Sequence, residues 1–291
     1  MRLFAFGIGY AAQAFIRSRP WSDVSGTVRD GQKAARLAAA GIRAHALSDP
    51  ADSPALVDAI RSADAILVSA PPDETGDPTL RRFGGLIRAA PDLAWIGYLS
   101  TTGVYGDRGG AWVDEATPPA PQSGRSQARL AAEGAWLDLG RETGRAVQVF
   151  RLTSIYGPGR NALANLARGT AQRIVKDGQT FNRIHVDDIA AILAASLQRP
   201  RPGAIYNLAD DEPAPPQEVV AYAADLAGIA PPPEIPIEAA SLSPMARSFY
   251  AENKRVANRL IKDELGVRLL YPTYREGLRA LHAAGEGSPA A

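Results

Sequence analysis

The chain opens on an apolar run that breaks into glycines and then turns helical: Arg2-Leu3-Phe4-Ala5-Phe6-Gly7-Ile8-Gly9-Tyr10-Ala11-Ala12-Gln13-Ala14-Phe15. A strand that passes directly into a helix restricts the fold severely, because the helix must pack back on the sheet to hide its apolar face. In the spacing G-x-G-x-x-A each small residue has a physical task. Gly7 permits the tight turn, Gly9 lets the backbone approach a pyrophosphate, and Ala12 lets the helix lie close to the strand. The helix start, at Tyr10 and Ala11, then offers N–H groups to the phosphates. A second strand ends about twenty residues further on, at Gly26-Thr27-Val28-Arg29-Asp30. An acidic residue at that place would bind a ribose 2′-hydroxyl, whereas a guanidinium suits a 2′-phosphate. Arg29 therefore points to NADP, and Asp30 directly after it keeps NAD open.

The rest of the first half repeats this grammar. Strand-like runs at 2–6, 24–28, 42–46, 65–69, 94–99 and 146–151 alternate with helical stretches near 11–18, 31–40, 53–62, 78–90 and 124–140. That rhythm predicts an α/β fold, a Rossmann-type doubly wound parallel sheet with a smaller C-terminal lobe. Two strand ends, Ser69-Ala70-Pro71 and Ser100-Thr101-Thr102, fall on the carboxyl edge, where open α/β sheets bind ligands. Beyond residue 155 the rhythm loosens into a turn-rich loop, a helix over 161–172, a helix after Ile189 and a strand at 203–208. Proline-rich joints follow at 213–216 and 231–236. The expected organisation is an NAD(P)-binding domain over 1–155, rejoined by 184–210. A smaller substrate-binding lobe covers 156–183 and 211–284, and 285–291 form a frayed tail.

Composition removes several functions. The net charge is +1, with charges well mixed, so neither nucleic acid nor an anionic membrane is an expected partner. There is no cysteine, which excludes disulfides and thiol catalysis, and the three histidines show no metal-ligand spacing. No apolar run approaches the ~18 residues of a membrane span, and the opening residues lack a signal-peptide pattern. A cytoplasmic protein acting on a small molecule is expected.

Four segments in order carry a resemblance: the glycine turn, Leu99-Ser100-Thr101-Thr102-Gly103-Val104-Tyr105-Gly106, Ile155-Tyr156-Gly157-Pro158-Gly159-Arg160 and Arg183-Ile184-His185-Val186-Asp187-Asp188. Together they resemble the extended short-chain dehydrogenase/reductase superfamily, of the NAD-dependent epimerase/dehydratase type, in its atypical branch. The resemblance implies that Thr101 hydrogen-bonds the reacting oxygen of the substrate. It also implies a Tyr-x-x-x-Lys pair at the start of the next helix, where aligning on Ala131-Ala132-Glu133 places Arg125 and Arg129 instead. No shift of register restores the pair, since no tyrosine lies between Tyr105 and Tyr156 and no lysine between Lys33 and Lys176. A guanidinium has five donors and no acceptor, so Arg125 is no base. Arg129 could still hold a ribose hydroxyl or a phosphate. Homodimers through the helices near 78–90 and 124–140 are implied as well.

Other groups are candidates for the proton chemistry. His185 has the right pKa range, and it competes with a bound water. Ser123 and Ser126 flank the arginine slot without an evident activating partner. Tyr250 and Lys254 satisfy Tyr-x-x-x-Lys, on one helix face by spacing, but lie far along the chain from Thr101. Arg151, Arg160 and Arg183 could form an anion pocket. The expected cofactor contacts are thus Gly7, Gly9, Tyr10, Ala11, Ala12, Arg29, Ser69, Ala70, Pro71, Ser100 and Arg129. Thr101 and His185 are the expected catalytic residues, and Thr102, Tyr105, Arg125, Arg160 and Arg183 the expected substrate contacts. Three functional classes follow: an NADP(H)-dependent oxidoreductase or epimerase on a small polar, sugar-like or anionic substrate; a non-catalytic dinucleotide sensor acting through a protein partner; and a similar fold using another nucleotide such as a methyl donor.

Overall fold

The computed structural model describes residues 1–48 and 53–287. In chain order its elements begin with β1 (Arg2–Phe6), α1 (Tyr10–Arg17), β2 (Asp23–Val28), α2 (Gly31–Ala39), β3 (Arg43–Ala46) and α3 (Pro54–Arg61). They continue with β4 (Ala65–Val68), α4 (Pro78–Arg88), β5 (Trp95–Thr101), β6 (Trp112–Val113), α5 (Gly124–Thr143) and β7 (Ala146–Leu152). Next come β8 (Ser154–Tyr156), α6 (Ala162–Ala167), β9 (Arg173–Val175), β10 (Arg183–His185), α7 (Val186–Gln198) and β11 (Ile205–Leu208). The last are α8 (Pro216–Leu226), β12 (Glu234–Pro236), α9 (Pro244–Tyr250), β13 (Arg255–Val256), α10 (Arg259–Leu265) and α11 (Tyr274–Ala283).

Seven strands make one parallel sheet in the order β11-β7-β5-β4-β1-β2-β3. β1 pairs in parallel with β2 on one side and with β4 on the other. The chain therefore leaves β1 in one direction and returns to its opposite flank, which opens a crevice at the carboxyl ends of these strands. Local sequence explains the elements. Every residue of β4, Ala-Ile-Leu-Val, is buried, as a strand covered on both faces requires. α4 starts where the Asp77 carboxylate accepts the N–H groups of Thr79 and Leu80 at 2.8 and 3.0 Å. The other Asp77 oxygen accepts the Trp136 indole N–H at 2.9 Å and ties α5 to α4. Ser123 caps the start of α5 and Gly144, at φ 70, ends it in the left-handed conformation. Trp136 and Leu139 then pack against Ile96, Tyr98 and Val149 of the sheet.

The chain divides into two compact units: Met1–Val104, Pro121–Arg151 and Ile189–Tyr206 make the first, and Tyr105–Ala120, Leu152–Asp188 and Asn207–Ala291 the second. This differs from the expected division at 105–120, which the pairing of β6 with β13 draws into the second unit. It differs also at 184–188, where β10 pairs with β8. These strands of two and three residues carry no periodicity a sequence could display. The second unit has its own core, in which Tyr156, Leu163 and Val219 meet Tyr274, Leu278 and Leu281. Gly285–Gly287 are not the frayed tail expected. Glu286 accepts the Gly159 N–H at 2.6 Å and the Asn161 side-chain amide at 2.8 Å. Residues 288–291 lie outside the described residues. Among the described residues no helix is long and apolar enough to cross a membrane, and no cluster of acidic and histidine side chains could hold a metal ion.

Candidate cofactor and substrate sites

The glycine turn stands at the carboxyl end of β1 and is braced from both neighbouring strands. Gly7 N–H donates to Thr27 Oγ1 at 3.1 Å and Ile8 N–H to the Thr27 carbonyl at 3.0 Å. From the β4 side the Ser69 hydroxyl donates to the Gly7 carbonyl, and the Ser69 and Ala70 N–H groups donate to the Phe6 carbonyl at 2.9 and 3.1 Å. Gly7 has φ +86, and a Cβ there would lie 3.0 Å from Ser69 Oγ and 3.2 Å from Ala70 N, so the protein itself demands glycine. Gly9 differs. It caps α1 at an ordinary φ of −92, and the atom nearest an added Cβ is Ser69 Oγ at 4.0 Å. Among the described residues nothing fills that space and no side chain caps α1. Such a helix start is suited to an anion.

At the end of β2, Arg29 and Asp30 are both exposed. Asp30 serves the backbone: it caps α2 by accepting the Lys33 N–H at 2.8 Å. The Asp30 carboxylate therefore has a structural task, with the exposed Arg29 directly before it. Tyr10 and Ala11 open α1, Ala12 is fully buried beneath the turn, and Pro71 is exposed just beyond Ala70. Glycine cradle and uncapped helix fit a dinucleotide of the NAD(P) type.

The end of β5 corrects two expectations. Ser100 is buried and donates its hydroxyl to Glu133, whose carboxylate pairs with Arg151 at 2.8 Å. Both charged side chains are 2% exposed. Ser100 thus turns its side chain into the core rather than toward a cofactor, and Arg151 belongs to this pair rather than to an anion pocket. Arg129 also folds inward, donating to the Leu99 carbonyl at 2.8 Å and the Tyr98 hydroxyl at 3.2 Å. Thr101 is half-buried, with Oγ1 accepting the Gly103 N–H at 3.1 Å. Thr102 is buried beside it. Arg125 is exposed in the first turn of α5, while Ser126, one residue on, is buried.

The second unit places the remaining candidates. Tyr105 is fully buried and donates its hydroxyl to Asn207 Oδ1 at 2.8 Å, a structural bond rather than a substrate contact. His185 is buried with its ring against Tyr156 and Tyr271. Its Nδ1 accepts the Asp187 N–H at 3.1 Å. Desolvation pushes its pKa down to about 4, so the imidazole is neutral and is a poor proton exchanger near pH 7. Tyr250 and Lys254 share no helix face, because α9 ends at Tyr250 and Lys254 donates to the Gly106 carbonyl at 2.7 Å. Arg183 and Arg160 do meet, together with Arg168, around a cavity of about 370 Å³. Tyr156 and Tyr274 share that lining, and the Tyr274 hydroxyl is buried with no partner among the described residues. A polar atom in that state asks for a ligand or water.

Beside this cavity Asp210 is 2% exposed, and desolvation raises its pKa to about 8 against the opposing charge of Arg183. The folded state therefore keeps a proton that the unfolded state releases above about pH 4, and stability falls as pH rises toward 8. Desolvation raises Asp188 to about 6 in the same sense, while His185 acts oppositely below its ordinary value of 6.5. From about pH 6.5 to 8 only Asp210 remains. The melting temperature should drop across that interval, and Asp210→Asn should flatten the drop when both are followed by calorimetry.

Glu133, Arg168, Asp210 and Tyr274 were absent from the expected site, because each depends on tertiary contacts, and Ser126 was weighed there only for the proton chemistry.

Comparison with known proteins places the chain. A model of the NAD dependent epimerase/dehydratase family matches residues 86–209. Protein YeeZ of Escherichia coli (strain K12) is 32% identical over 240 residues, covering 77% of this chain and 82% of that protein. Among solved structures, a functionally unknown conserved protein from Silicibacter pomeroyi DSS is 46% identical with a TM-score of 0.87, over 98% of this chain and 99% of that one. The dTDP-glucose 4,6-dehydratase DesIV from Streptomyces venezuelae, solved with NAD and TYD bound, is 20% identical with a TM-score of 0.77, over 97% and 95%.

Proposed function

The chain belongs to the NAD dependent epimerase/dehydratase family, and on that premise we propose that it is an NADP(H)-dependent oxidoreductase or epimerase acting on a small, anion-bearing polar substrate. The observation that carries this reading is the glycine turn, with its unfilled space at Gly9 and the uncapped start of α1. Gly7, Gly9 and the first turn of α1 would hold the pyrophosphate, and Arg29 the 2′-phosphate. A bound nicotinamide dinucleotide gives or takes a hydride. The protein's own share is orientation: in the first unit Thr101 offers a hydroxyl to the reacting oxygen. Within the second unit Arg160, Arg168 and Arg183 line a cavity and offer charge-assisted hydrogen bonds to an anion. A cavity of about 370 Å³ suits a ligand of metabolite size. His185 is read as a structural residue.

Calorimetric titration tests the phosphate reading. Arg29→Asp should weaken NADPH by about 100-fold, from a lost charge-assisted bond and an added repulsion, while NADH changes little. Equal weakening of both would remove Arg29 from the site. A second reading, a non-catalytic dinucleotide sensor, draws on Arg129, whose guanidinium is spent on Leu99 and Tyr98 instead of standing in for a ribose-binding lysine.

A further inference from the structure

The residues around Gly103 hold a pair of hydroxyls. A Cβ built on Gly103 would lie 3.0 Å from Ser126 Oγ and 3.4 Å from Thr101 Oγ1. Glycine at 103 thus keeps open a point flanked by two hydroxyl oxygens from different elements, the end of β5 and the first turn of α5. Ser126 is 6% exposed, whereas Thr101, Gly103 and Ser123 are half-buried. The point is therefore buried on the Ser126 side and partly exposed on the other.

The hydrogen bonds around this point leave donors available. Thr101 Oγ1 already accepts the Gly103 N–H at 3.1 Å, which directs its own proton elsewhere. Ser123 caps α5 by accepting the Ser126 N–H at 3.2 Å, and its hydroxyl donates to Ser126 Oγ at 3.0 Å. Ser126 Oγ is thus occupied as an acceptor and its O–H is left to donate. Two O–H groups flanking one gap match what a carbonyl oxygen accepts through its two lone pairs. The same arrangement holds the negative charge that builds on such an oxygen when its carbon is reduced.

We propose that Ser126, oriented by Ser123, joins Thr101 as the second hydroxyl that binds the reacting carbonyl oxygen of the substrate. This rests on the dinucleotide-binding reading above. In this arrangement Ser126 acts as a hydrogen-bond donor, not as a base. Ser123 is a positioning residue. Arg125, exposed and directly before Ser126, has no part in the clamp.

Fluoroacetone with NADP⁺ is a suitable probe, a ketone and an oxidised cofactor between which no hydride can pass. Fluorine line broadening reports the ketone and calorimetry reports NADP⁺. Ser126→Ala and Gly103→Ala should each weaken fluoroacetone by about tenfold, the worth of one buried hydrogen bond in an organised site, while NADP⁺ affinity stays unchanged. Gly103→Ala deletes no hydroxyl and fills the gap instead, so its effect is independent of any loss of α5 capping. Ser123→Ala should weaken the ketone less, and Ser123→Thr should restore it. If wild-type protein binds NADP⁺ and broadens no fluorine signal, or if Ser126→Ala leaves the signal unchanged, the clamp is overturned alone. If NADP⁺ fails to bind at all, the dinucleotide reading falls and the clamp with it.

Discussion

Glu133→Ala should destabilise the protein by about 3 to 5 kcal/mol, the cost of breaking a buried ion pair by removing one partner. The loss comes from what is left behind. Arg151 and Glu133 are each 2% exposed and meet at 2.8 Å, so truncating the carboxylate takes the opposite charge away from a guanidinium buried in the first unit. Ser100 loses its acceptor in the same step. Glu133→Met with Arg151→Met should recover most of the stability, because two apolar side chains of similar volume leave no buried charge unpaired. Urea unfolding of the two variants measures this. A single variant as stable as wild type would mean that water reaches the pair.

Gly9→Asp should abolish dinucleotide binding, by more than about 100-fold, and leave the fold intact. The backbone at Gly9 has φ −92 and open space where a side chain would go, so the substitution meets no obstacle among the described residues. What it meets is the ligand. A carboxylate placed at the start of α1 competes for the N–H groups that a pyrophosphate would use and repels its charge. Gly7→Ala is the informative contrast. There φ is +86 and a Cβ would lie 3.0 Å from Ser69 Oγ, so the cost falls on folding, about 1 to 2 kcal/mol for a left-handed residue before the contact is counted. Calorimetric titration with NADPH and thermal melts of the two variants separate ligand from fold.

The legible parts of this molecule were those written in local chemistry. Gly7, Gly9 and Ala12 specify strand, turn and helix within a dozen residues, and the apolar runs of the first half specify a parallel sheet because its strands are covered on both faces. The second unit was legible only in outline. Its strands are two or three residues long, and β6 joins β13 across a separation of more than a hundred residues, which no local pattern encodes. The site was misread wherever a side chain's partner lay on another element. Ser100 looked like a strand-end ligand until Glu133 claimed it. His185 looked like a proton exchanger until burial against Tyr156 and Tyr271 fixed it as neutral. Arg151 looked like an anion binder until its buried carboxylate appeared. Arg160 and Arg183 were chosen for their predicted place beside the carboxyl edge or the lobe junction, and the cavity that unites them came from folding.

In the proposed function Gly7, Gly9 and the start of α1 hold a phosphorylated nicotinamide dinucleotide. Calorimetric titration of the unaltered protein with NADPH, alongside NADH, tests it most directly. One-site binding of NADPH, tighter than NADH by about tenfold or more for a well-paired 2′-phosphate, is the predicted result. Heat signals indistinguishable from dilution for both dinucleotides would contradict it.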